Sequence, residues 1–153
     1  MNLLRNELGA SYFCDSGPIA LQSHGFFYII VGVEPSMIPI TIEKILLELK
    51  KLIQYGITEK ELATIKKKRE TSLLFDFKEP LEYVFHYGKL ELFDMPFLDI
   101  VDLYKTIDDI TNDDIIKLAE MFFTRDNLWL GVIGKYKKLL IRKVLNNKEL
   151  FYK

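Results

Sequence analysis

At 153 residues the chain fits one domain that buries roughly 70% of its unfolded surface, so a core needs neither disulfides nor metal. Hydrophobic residues make up 49% and charged residues 28%, an ordinary soluble globular balance that excludes disordered and fibrous classes. The net charge of −1 divides into +6 over residues 135–153, with seven basic residues against Glu149, and −7 over the rest; an acidic body, and a tail without the interleaved aromatics of a single-strand groove, argue against nucleic acid.

Cys14 is the single cysteine and has no intrachain partner, which is consistent with a reducing compartment. No basic-then-apolar leader opens the chain and no apolar run approaches about 18 residues. The expectation is a soluble chain with neither a signal peptide nor a transmembrane segment, its compartment otherwise open.

In chain order, residues 10–14 read as a short strand leading into a turn at Asp15, Ser16, Gly17 and Pro18. Residues 26–33 are β-branched and aromatic with almost no polar break, the pattern of a strand central in a sheet. From Ile38 the period changes: Ile38, Ile42, Ile45, Leu46, Leu49, Leu52 and Ile53 recur at helical spacing, with Pro39 tolerated in the first turn and Gly56 closing the helix. Thr58 and Glu61 have the form of a capping box and open a helix over residues 59–77, with Leu62, Ile65, Arg69 and Leu73 on one face.

Pro80 breaks that helix, and residues 81–93 carry a third, ended by Asp94, Met95 and Pro96. A short helix is expected over residues 98–104 and another over 111–123, capped by Thr111 and Asp114. Residues 127–134 return to strand, and residues 135–153 form a basic, helical tail with Leu139, Leu140, Val144 and Leu145 as its apolar side. The order predicts an α+β fold: a small, mainly antiparallel sheet with helices packed on one face, over residues 1–134, followed by the tail. Three strands make a thin sheet, and its first strand lacks a covering element, so an edge is expected to be open to another polypeptide or to self-association.

Chemistry-bearing residues are few. His24 and His86 have no second histidine or carboxylate at ligand spacing, so no zinc pair is present and both read as structural or surface residues. Cys14 has no basic partner nearby in sequence and reads as a small core hydrophobe. The glycines form no phosphate-binding turn, and Asp108, Asp109, Asp113 and Asp114 flank a helix start, where they complement its dipole.

What remains is the opening segment, L-R-x-x-x-G-x-x-Y, carried by Leu4, Arg5, Gly9 and Tyr12. After the hairpin and the long helix come G-x-T-E-x-E-L from Gly56 to Leu62, and T-x-x-D-I-x-x-L-A-x-x-F-F-T-x-x-N-L from Thr111 to Leu128. This ordered set, over most of the chain, resembles the C-terminal part of insulinase- and pitrilysin-type zinc metallopeptidases, the inverzincins. The resemblance implies the closing unit of their LuxS/MPP-like half-domain. It implies that Arg5 and Tyr12 bind the peptide, and that Tyr12 donates a catalytic hydrogen bond to the oxyanion in the assembled enzyme.

The family's H-x-x-E-H zinc motif does not occur anywhere in the 153 residues. The implied zinc therefore belongs to a separate peptidase domain or subunit, this chain is not expected to be active alone, and its implied partners are that domain and a peptide or protein substrate. Two alternatives stand beside this reading. One is a structural interaction module that kept the fold without the chemistry; the other is membrane-surface association through the basic tail, set against a solvated last helix packed on its own domain.

Overall fold

The computed structural model describes residues 11–21 and 23–151, with side chains from residue 13 onward. Its elements are strands β1 (Ser11–Ala20) and β2 (Gly25–Val33), a 3-10 turn at Pro35–Met37, and helix α1 (Ile38–Tyr55). Helices α2 (Glu59–Asp76), α3 (Pro80–Leu92), α4 (Ile100–Asp109), α5 (Asn112–Phe122) and α6 (Lys138–Leu145) follow, with a last 3-10 turn at Lys148–Leu150. This is a small α+β fold whose sheet, among the described residues, has two antiparallel strands.

The hairpin is longer than the sequence predicts. Asp15, Ser16, Gly17 and Pro18 lie inside β1, paired with Ile30, Ile29, Tyr28 and Phe27. The turn lies further on, where Leu21 N–H donates to the His24 carbonyl at 2.8 Å. Among the described residues both strands of this ribbon are edges, and an edge strand tolerates proline because an outward-facing position needs no N–H. The cluster's turn propensity is overridden by a partner strand in which seven of nine residues are β-branched or aromatic.

Two compact units can be described separately, one formed by residues 1–55 and 116–153 and the other by residues 56–115. In the first, α1 packs against α6 and the Lys148–Leu150 turn. Leu46 and Ile53 of α1, Ile141 of α6 and Leu150 are buried. Lys50 Nζ donates to the Glu149 carbonyl at 2.6 Å, tying α1 to the C-terminal turn. The buried side of α6 is Ile141, flanked by the half-buried Val144 and Leu145, whereas Leu139 points to solvent at 79% exposure. The basic tail is thus a helix seated on its own unit, rotated from the apolar face predicted.

In the second unit α2 packs against α4, with Tyr104 Oη donating to the Glu70 carbonyl at 3.2 Å and Leu62, Leu73 and Ile107 buried. Ile65, expected on the same face as Leu62, is exposed. The capping box at Thr58 and Glu61 forms as predicted. Helix α4 starts later and runs further than expected: Asp99 accepts from the Asp102 N–H at 2.8 Å as its N-cap. Ile100, Leu103, Tyr104 and Ile107 then continue one helical stripe past residue 104.

Residues 127–134 form no strand. They have the apolar composition of one, but a strand is defined by its ladder, and no described residue pairs with them. Trp129 is 93% exposed in consequence.

Candidate functional site

The hairpin is where the sequence places the candidate pair. Arg5 lies outside the described residues. Tyr12 lies in β1, and the ladder fixes its backbone position: Ser11 pairs with Val33 and Phe13 with Gly32, so the register irregularity falls at Tyr12. An extra residue there interrupts the ladder and bends the strand, a device common next to functional sites. The geometry between Arg5 and Tyr12 is outside what the structure describes.

Cross-strand pairing sorts the described hairpin residues onto two faces. Cys14, Ser16, Ile29 and Val31 share one face and are all half-buried, and Phe27 on that face meets Phe123 edge-on at 5.5 Å between ring centroids. Phe13, Ile19, Phe26 and Ile30 share the other face and are 40–56% exposed. Phe13 lies across Gly32, where an added Cβ would come within 2.7 Å of the ring's Cδ1, so this glycine makes room for the aromatic residue opposite.

In the middle of the exposed face Tyr28 Oη donates to Asp15 Oδ2 at 2.9 Å. That bond holds the phenol proton and raises the Tyr28 pKa above its ordinary 10.0, with the carboxylate's charge acting in the same direction. Locating this pair requires the hairpin register, and a turn placed at residues 15–18 conceals it.

The other candidates occupy structural positions. His24 lies in the hairpin turn and hydrogen-bonds Ser23 Oγ. His86 is half-buried in α3, its Nε2 3.3 Å from the Leu98 carbonyl, with Phe77 and Tyr87 packed edge-on around it. Cys14 is free and half-buried in β1. Among the described residues no group of three or more His, Cys, Asp or Glu side chains is arranged to hold a metal ion. No helix among the described residues is long and apolar enough to cross a membrane.

Residues 1–69 match the family model described as the Peptidase M16 inactive domain. The matched segment contains Arg5 and Tyr12, the hairpin, all of α1 and the first part of α2. No curated protein matches the chain. The match covers 69 of the 153 residues and coincides with the segment that carries the opening motif.

Proposed function

We propose that this chain is a non-zinc-binding, M16-type unit that completes the substrate chamber of a zinc-bearing domain or subunit. The observation that carries the proposal is the match of residues 1–69 to an inactive peptidase domain, since that segment holds Arg5 and Tyr12. The hairpin adds physical support: its outer edges are unpaired among the described residues, and an extended peptide can be held by adding a strand to such an edge.

In this reading the Tyr12 hydroxyl donates to the oxygen that becomes negative at the tetrahedral stage, and the Arg5 guanidinium grips backbone carbonyls of the bound peptide. Zinc and the attacking water come from the partner. The test is kinetic, on the assembled enzyme. Tyr12→Phe removes one oxyanion donor and is expected to lower turnover by about 10²–10³ with zinc content unchanged. Arg5→Ala is expected to raise KM with little change in kcat. An unaltered rate for Tyr12→Phe removes its catalytic role and leaves a structural module.

A further inference from the structure

A cleft of about 510 Å³ lies within the first unit, where Ile38, Pro39, Leu140 and Ile141 supply apolar wall and Lys135 and Lys137 the charge. Its volume falls among those of small-ligand pockets, about 300–1,000 Å³. No carboxylate lines it, and among the described residues neither lysine is in an ion pair. Lys137 is also the N-cap of α6, makes no side-chain capping bond, and is followed by a first turn without an acidic residue. Amino groups at the positive end of a helix raise one another's potential, an arrangement an anion relieves. Apolar walls with a purely cationic charge complement suit an anionic group carried on an apolar body.

We propose that this cleft takes the C-terminal carboxylate of a peptide whose last side chain is apolar. The assignment to a peptide rests on the peptide-contact reading above and on one feature of the hairpin. Ser11 pairs with Val33, so the backbone at Tyr12 and the cleft residue Pro35 lie at the same end of the ribbon. Pro35 is two residues beyond Val33, at most about 7 Å of chain. A peptide held at that end of β1 has its terminus within reach of Lys135 and Lys137, with Ser36 on the same lining as a hydrogen-bonding group. Polyphosphates would leave the apolar wall unmatched.

The test titrates the full chain with a short fluorescent peptide ending in leucine, as the free acid and as the C-terminal amide. Octanoate serves as competitor and phosphatidylserine vesicles as the membrane control. The acid is expected to bind about tenfold more tightly than the amide, since it alone gains charge-assisted hydrogen bonds. That preference is expected to vanish in the Lys135→Gln, Lys137→Gln double variant and to narrow as salt is raised. Both lysines are exposed, so an unchanged circular dichroism spectrum and unfolding midpoint show that the variant is folded.

Equal affinity for acid and amide, or a preference that survives the double substitution, overturns the proposal. So does lysine-dependent binding of octanoate or vesicles without any preference between the peptides. The two readings fail separately. A Tyr12→Phe turnover loss without acid preference keeps the peptidase reading and removes the cleft; the reverse keeps the carboxylate site and removes the catalytic tyrosine.

Discussion

Gly56 shows how much can rest on a single missing Cβ. Its φ is +65°, and an added Cβ would overlap the Asn112 carboxamide, whose Oδ1 accepts the Ile57 N–H at 2.9 Å. Gly56→Ala therefore combines a left-handed backbone with displacement of a hydrogen-bond acceptor, and is expected to lower stability by about 1–3 kcal/mol in urea unfolding. Gly88, inside α3, is the control, because a Cβ added there would have nothing within 4 Å. At that position alanine is expected to raise stability by about 0.5–1 kcal/mol. Equal effects at both positions would show that the turn at Gly56 is not strained by a side chain. The glycine's role at the end of α1 is legible in the sequence, because a helix stop is local. Its partner Asn112, 55 residues beyond Ile57, is not, and neither is the Tyr28–Asp15 bond, which depends on register.

Among whole elements, α2 depends most visibly on its start. Glu61 N–H donates to Thr58 Oγ1 at 3.3 Å, and the Thr58 N–H and hydroxyl donate to Glu61 Oε2 at 2.9 and 2.7 Å. With only Leu62 and Leu73 buried along its 18 residues, this helix has a narrow apolar contact, so its cap carries weight. Thr58→Ala is expected to cost about 1 kcal/mol, read from the unfolding midpoint. The Thr58 backbone and hydroxyl hydrogen bonds lower the Glu61 pKa from its ordinary 4.5. A carboxylate with a depressed folded-state pKa stabilises the fold above its unfolded value, and that contribution is lost as pH falls through the folded pKa. Glu61→Gln is expected to flatten this part of the acid limb of the stability curve; an unchanged acid limb would show that the cap does not couple to folding.

Caps at Thr58 and Thr111 were legible because donor and acceptor lie three residues apart. The strand expected over residues 127–134 was not, because a strand needs a partner and composition does not supply one.

The described residues leave many large apolar side chains exposed. No large side chain among the described residues is less than 2% exposed, while Phe13, Phe26, Ile30, Trp129 and Ile133 are each more than half exposed. Single exposed hydrophobes are ordinary, but a sheet face on which Phe13, Phe26 and Ile30 lie together is the kind of surface that a partner covers. Recovery of the chain from its source cell under native conditions is expected to bring down a zinc-bearing protein, with slowed amide exchange in β1 and β2 relative to the isolated chain. Recovery of an assembly without zinc would favour the structural-module reading. The fold class was legible because helices and hairpin strands announce themselves by period. The motif containing Arg5 and Tyr12 can be read in the sequence, whereas the exposed hairpin face of Phe13, Phe26 and Ile30 depends on cross-strand register, which composition does not supply.

Pro18 makes the two edges of the ribbon unequal. It lies within β1, whereas β2 runs for nine residues without a proline or a charge. A proline deprives β1 of one donor, while β2 retains the unbroken, uncharged pattern that templates further strands. Among the described residues nothing pairs with the outer edge of β2, which is therefore the more association-prone edge of the ribbon. How much of the chain stays dispersed is then a question of concentration, since pairing between such edges on separate copies rises with the amount of chain in solution.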